Sequence, residues 1–272
     1  MLKIAHVCMS CFYIDDAGYQ ENKLVAAHIS QGHDVRVFTS TETYNKKGVL
    51  HYVEPRKYIG SDGAEVHRLP YRGWIPFFLA RKIRSVVGLE DLLIEFNPEM
   101  IIFHGLAGWE LFTISKFKRN SPDCIVCADS HEDYNNTART FFSYILNRFF
   151  YRKVLKLNLA TLSKIFYISL ETKDFIKDIY DVPESVLDYL PLGGNIKPES
   201  EANLIRSQVR KEFGLSSDTV VFLQSGKFNP RKKLKESLES FQATTDPRFR
   251  FWIAGVVDDS LKGYMDKAVQ SD

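Results

Sequence analysis

Short apolar runs alternate with amphipathic stretches along most of this chain, and that alternation limits the folds open to it. Runs at 2–8, 34–40, 65–69, 100–103, 124–128 and 166–169 read as strands. The stretches at 20–31, 75–87, 109–117, 140–162 and 172–179 read as helices set among them. Strands interleaved with helices pack as a mainly parallel, doubly wound sheet, so the pattern predicts an α/β architecture. The first helix shows an apolar stripe of Leu24, Ala27 and Ile29 and is closed by Gly32, while Asp181-Val182-Pro183 ends the helix over 172–179.

A turn-rich passage, Pro191-Leu192-Gly193-Gly194-Asn195, leads into a polar run that reaches Asn203. Such a stretch between two βα patterns reads as an interdomain connection over 191–203, dividing a domain at 1–190 from one at 204–272. In the second domain a helix is expected over 209–213, a strand over 219–223, a helix over 234–241 and a strand over 249–254. A complete lobe of this kind needs several more βα units, so 204–272 is expected to hold its first part only, with Trp252 and Ile253 short of cover.

The most telling local segment is VVFLQSGKFNPRKKLKESLESF at 220–241. An apolar strand runs to Gly226, a basic turn follows, and an amphipathic helix begins. Lys227 and Lys232 thereby fall beside a helix N-terminus, whose free N–H groups and dipole favour anions. This is the outline of a phosphate site, against the simpler reading of a solvated basic turn. Neither a P-loop nor a GxGxxG fingerprint is present.

The run Gly226-Lys227-Phe228-Asn229-Pro230-Arg231-Lys232 resembles the Gly-Arg-Leu-x-Pro-x-Lys signature of GT-B glycosyltransferases, specifically the retaining glycosyltransferase family 4. Gly18-Tyr19-Gln20-Glu21-Asn22 and Gly32-His33-Asp34-Val35 are similar to that family's N-terminal loop and the ending of its first helix. Asp129-Ser130-His131-Glu132-Asp133 looks like its Asp-x-His element, and 166–196 like its crossover into the second domain. There are departures. Lys227 stands where the family usually has Arg, which keeps the charge and loses the planar fork. The paired glycines of the loop appear as Ala17-Gly18, and Val256-Val257 follow Gly255. The family's pair of glutamates spaced by seven residues would lie beyond Asp272.

The resemblance implies a GT-B fold: a Rossmann-like N-terminal domain on the acceptor side, plus the first part of a nucleotide-sugar-binding domain. It implies metal-independent hexosyl transfer with retention, from a UDP- or GDP-linked donor to a glycan or lipid-linked acceptor, in cell-surface polysaccharide or glycolipid synthesis. Cleaving a nucleotide-sugar bond leaves negative charge on a diphosphate, which Lys227, Lys232 and a helix N-terminus can stabilise without a metal. Gly18, lacking a Cβ, would let the loop backbone approach donor phosphate. His131 inherits the contact with the donor sugar near the reacting centre, so His131 and Lys232 are the catalytic candidates; the simpler reading of His131 is a hydrogen-bonded loop histidine. Asp129, His104 and Glu21 are candidates to line the acceptor or sugar, with helix or loop capping as the alternative for His104 and Glu21. The alternative for the whole chain is a noncatalytic GT-B-like fragment acting as a binding or regulatory module.

Composition excludes several other classes. Thirty-six Lys and Arg against 34 Asp and Glu give a formal charge of +2, which lends no support to nucleic-acid binding through charge. No signal peptide core and no run of 18 apolar residues is present, so the reading is cytoplasmic, with contact at the inner face of the membrane left open. That contact rests on two stripes: Ile75, Phe78, Leu79, Ile83, Val86 and Val87 beside Arg81, Lys82 and Arg84, and Phe141, Phe142, Phe149 and Phe150 beside Arg148, Arg152 and Lys153. Core packing is the first reading of both, a lipid surface the second. Cys8/Cys11 and Cys124/Cys127 are CxxC pairs in or at the ends of strands, where positions i and i+3 face opposite sides, so buried packing is expected rather than zinc or a disulfide.

Overall fold

In a computed structural model the structure describes residues 1–45, 49–194 and 196–270, with the side chains of Lys227, Arg231 and 267–270 left out. Asn195 of the expected connection therefore lies outside the described residues. The chain divides into two compact units, Met1–Gly194 and Asn195–Asp272.

In the first unit the elements run β1 (Lys3–Cys8), α1 (Gln20–Ser30), β2 (Asp34–Ser40), β3 (Glu42–Tyr44), β4 (Leu50–Tyr52), β5 (Arg56–Ile59) and β6 (Glu65–Leu69). There follow α2 (Phe77–Ile83), α3 (Leu89–Phe96), β7 (Met100–His104), α4 (Leu111–Asn120), β8 (Ile125–Ser130) and α5 (Phe141–Ile145). A π-helical stretch (Leu146–Tyr151) joins α5 to α6 (Arg152–Asn158), and β9 (Lys164–Tyr167), α7 (Leu170–Phe175) and β10 (Leu187–Tyr189) complete the unit. The eight-stranded sheet has the order β10-β9-β8-β7-β1-β2-β6-β5. Every neighbouring pair is parallel except β5 with β6. Chain order reverses at β1, which pairs with both β2 and β7.

Strand β1 is apolar on both faces because both are covered. Ala5 and Val7 belong to the larger core with Phe103, Ile114, Leu155 and Phe175. Ile4 and Cys8 belong to a second core with Val25 of α1. The buried residues of α1 are Gln20, Asn22 and Val25, and Ala27 is exposed, so the helix face turned inward differs from the expected stripe. Polar Gln20 is inside because its side chain bonds the chain at Pro191 and Gly193.

The expected helix over 75–87 stops at Ile83. Arg84 is left-handed (φ 58°), Val86 bridges to Tyr71, and Gly88 at φ 88° opens a separate helix, α3. The β3–β4 hairpin, β5 and β10 are short elements that the periodicity of the sequence does not announce. Beyond Phe175 the helix continues in π form to Tyr180, and Asp181 at φ 55° ends it.

The second unit holds α8 (Glu199–Glu212), β11 (Val220–Phe228), α9 (Leu234–Gln242), β12 (Phe249–Val257) and α10 (Asp259–Gln270). Helix α8 begins inside the polar run read as a connection, since Glu199 and Glu201 in its first turn suit its dipole. Strands β11 and β12 are parallel, with Gly226 opposite Gly255. A Cβ on Gly255 would lie 1.8 Å from the Gly226 carbonyl oxygen, so only glycine permits this approach. Phe228, Leu234 and Leu238 form the core on one face. On the other, α8 and the strands flank a groove of about 660 Å³ lined by Ile205, Val209, Val220 and Trp252. Trp252 and Ile253 are half-buried.

Candidate functional site

In a doubly wound sheet the loops leaving the C-terminal strand ends around the point of chain reversal form the usual ligand crevice. Here that point lies at β1 and β7. Below it runs a buried line of ring-to-ring hydrogen bonds. His104 Nδ1 is 2.7 Å from Asp129 Oδ2, His104 Nε2 is 2.9 Å from His6 Nδ1, and His6 Nε2 is 3.0 Å from His28 Nδ1 on α1. His6 and His104 have no exposed surface and Asp129 almost none.

Charge decides the protonation along this line. Burial pulls the His104 imidazole down, but the Asp129 carboxylate outweighs it and, with Cys8 and Glu21, pushes it up to about 10. Burial likewise opposes the Asp129 charge, and His104, with a smaller share from His131, still holds that carboxyl below its usual range. His6 goes the other way: burial, then the neighbouring His104 and His28, keep it well below the ordinary histidine value. A cationic His104 donates from both nitrogens. His6 therefore accepts at Nδ1 and offers its Nε2–H to His28.

His104 and Asp129 were expected to line an acceptor or sugar. Both are buried, and their polar atoms bond each other, His6 and the backbone. Asp129 Oδ1 accepts the Gly105 N–H at 3.2 Å, which fixes the turn leaving β7. Gly105 sits at φ 94°, and a Cβ there would fall 2.3 Å from Ser10 Cβ, so the loops after β1 and β7 pack backbone to side chain.

Above this base lie groups with unmet hydrogen-bonding capacity. Ser10 Oγ and His131 Nε2 are buried and have no hydrogen-bond partner. Such orphans are uncommon and call for an explanation; a bound ligand group supplies one. His131 is held by Asn136 Nδ2, which donates to its carbonyl at 2.8 Å.

Glu132 follows. The Tyr180 hydroxyl lies 2.9 Å from Glu132 Oε2 and 2.8 Å from Asn147 Oδ1. Asn147 is oriented by its own amide, which donates to the Ser143 carbonyl. One phenol proton cannot serve two acceptors, so a proton on Glu132 completes the set. Burial pushes Glu132 up to about 7 against the opposing influence of Tyr180, Arg84 and Ser130, in accord with that geometry.

Arg84 is the cation near this carboxyl. Its Nη1 donates to Glu42 Oε2 at 2.9 Å, and its guanidinium stands 5.4 Å from the Phe12 ring centre. Glu42 is buried and also accepts from Tyr71 at 2.8 Å and Tyr52 at 3.0 Å. Ser10, Tyr71, His131 and Glu132 thus come from the segments that follow β1, β6 and β8, and Glu42 from the start of β3. The sequence reading missed His6, Glu42 and Arg84 as members. A histidine inside the apolar run IAHVC was the available signal for His6; nothing local marks Glu42 or Arg84.

Of the remaining candidates, Gly18 is exposed with open space where a Cβ would stand, and Glu21 is half-buried in the first turn of α1. In the second unit a 3-10 turn (Pro230–Lys232) separates β11 from α9. Lys232 is exposed, its N–H bonded to the Asn229 carbonyl and its own carbonyl accepting from Gln224. Lys233 caps α9 in a left-handed conformation at φ 54°. The Lys227 side chain lies outside the described residues.

Among the described residues no three His, Cys, Asp or Glu side chains are grouped to hold a metal. The four cysteines are free thiols. The opposed-face argument fails for Cys8/Cys11, because β1 ends at Cys8 and the loop returns Cys11 to it. Their thiols hydrogen-bond, which together with burial raises Cys11 well above the ordinary thiol value.

No protein-family profile matches this chain, and no curated protein sequence matches it. Solved structures do. Anabaena HepE in complex with UDP and glucose matches with a TM-score of 0.56 at 12% identity, over 99% of this chain and 65% of its own. The fold is GT-B. A glycosyltransferase from Rickettsia africae follows with a TM-score of 0.55 at 10% identity, over 99% of this chain and 64% of its own. OtsA in its apo form gives 0.55 at 11% identity, over 100% of this chain and 70% of its own. This chain thus spans about two-thirds of the length of these GT-B proteins.

Proposed function

We propose that this chain belongs to a glycosyltransferase that moves a hexose from a UDP- or GDP-linked donor to a glycan or lipid-linked acceptor, with retention and without a metal. The observation that carries the reading is the likeness over 99% of the chain to a GT-B protein in complex with UDP and glucose. The buried His104–Asp129 base and the unpartnered His131 nitrogen above it supply a second support.

In this reading the second unit receives the diphosphate. Exposed Lys232, one residue before the cap of α9, neutralises charge as the leaving group departs. Lys227 shares that role, and the open backbone at Gly18 admits a phosphate. His131 offers a hydrogen bond to the donor sugar, while Glu21 contributes to the acceptor side. Polysaccharide or glycolipid synthesis is the setting these substrates imply.

Calorimetric titration of the chain with UDP, GDP and their hexose conjugates tests this. One nucleotide series should bind, and Lys232→Ala should weaken it roughly ten- to a hundredfold, the worth of a charge-assisted contact. Binding of neither series, or unchanged affinity in the variant, refutes the assignment.

A further inference from the structure

The two CxxC pairs have the same spacing, and the fold treats them differently. Cys124 precedes β8 and Cys127 lies within it. Cys124 packs in the larger core while Cys127 stands outside both cores of the first unit, so the strand keeps the two thiols on different sides. Burial raises both, Cys124 to about 11, and neither is among the groups that act on the other.

The first pair is brought together. Strand β1 ends at Cys8, Met9 and Ser10 follow, and Cys11 comes back against the core that holds Cys8. The two thiols are in hydrogen-bonding contact. Cys8 is fully buried and Cys11 half-buried, so the dithiol meets solvent from the Cys11 side. Among the described residues no three metal-ligating side chains are grouped, so nothing there completes a metal site around the two sulfurs.

From this contact we propose that Cys8 and Cys11 are a reversible redox site, which a low-molecular-weight disulfide such as oxidised glutathione closes. Cys11 gives up its proton and attacks one sulfur of the oxidant, forming a mixed disulfide and releasing one thiolate. Cys8 then loses its proton, attacks the Cys11 sulfur and displaces the second thiolate. The two thiolates take up the two protons, so one external disulfide is reduced to two thiols as two cysteines are oxidised to one disulfide. Cys8 needs no access to solvent, because its target is the neighbouring sulfur, and contact in the folded chain makes that step intramolecular. The Cys8 thiol and burial, followed by the charges of Glu21 and Asp129, hold Cys11 well above the ordinary thiol value. Closure is therefore slow near neutrality and quickens as pH rises. It ties the two ends of the turn that carries Ser10, whose hydroxyl is one of the unpartnered groups of the crevice. The inference stands independently of glycosyl transfer.

The test incubates the folded, reduced chain with oxidised glutathione at about pH 7 and about pH 9. Remaining thiols are then trapped with N-ethylmaleimide in denaturant, and tryptic peptides are weighed by mass spectrometry. Cys8 and Cys11 share the peptide 4–23, and Cys124 and Cys127 the peptide 120–139. Peptide 4–23 should escape the label and lose the mass of two hydrogens, on the order of tenfold faster than 120–139 or more, and sooner at the higher pH. Dithiothreitol should restore both labels. Cys11→Ser should abolish the loss, whereas Cys124→Ala with Cys127→Ala should leave it unchanged. The unaltered chain carries the comparison between the two peptides by itself, whatever the variants do to folding. Equal closure of both peptides, full labelling of 4–23, or a glutathione adduct that persists on it overturns the proposal. So does a disulfide-linked dimer in place of the closed peptide.

Discussion

Removing the Asp129 carboxylate is the sharpest probe of the buried base. Asp129 lies 2.7 Å from His104, and both side chains are nearly inaccessible to water. Asp129→Ala leaves His104 without its counter-charge in a site that cannot hydrate it, and breaking a buried pair from one side costs roughly 3–5 kcal/mol. Asp129→Asn keeps an acceptor for His104 Nδ1–H and lets the ring become neutral, so its cost should be smaller, about 1–3 kcal/mol. pH separates the variants further. His104 has its folded value raised from 6.5 to about 10, so its contribution is complete below 6.5 and is lost as pH climbs towards 10. Asp129 is lowered, so its contribution is present above its ordinary value of 3.8 and fades as pH falls below that. Urea unfolding followed by circular dichroism from pH 5 to 10 should show wild-type stability declining above about 6.5, with that decline flattened in both variants. Equal midpoints for Asp129→Ala and wild type at pH 7, or an unchanged alkaline slope, would refute the ion-pair reading.

Other outcomes follow from the same geometry. Gly255→Ala places a Cβ 1.8 Å from the Gly226 oxygen at φ 148°, so it should destabilise the second unit by more than about 3 kcal/mol. Limited proteolysis should then cut after residue 195 while the first unit persists; an intact pattern would contradict this. Glu132→Gln keeps a donor for Tyr180 without an ionisable group. The folded state holds the Glu132 proton up to about 7 whereas the unfolded chain releases it near 4.5, so wild-type stability should fall across that range and the Gln variant should lack that fall. Identical pH profiles for the two proteins would show Glu132 to be ordinary.

The parallel sheet was legible in the sequence because a strand buried on both faces must be continuously apolar, and IAHVC and MIIFH nearly are. The basic turn after β11 was legible for a similar reason: strand, turn and helix are local, and the placement of Lys232 follows from chain order alone. What tertiary structure decided is which polar groups the strand ends bring together. His6, His104 and Asp129 are 98 and 25 residues apart in the two hydrogen bonds that join them. Only the order β8-β7-β1 sets them side by side, and burial then fixes their charges. The same holds for Phe78 and Phe142. Their helical spacing suits a core or a surface equally, and the choice depends on which face the neighbouring elements already cover, which no local pattern encodes.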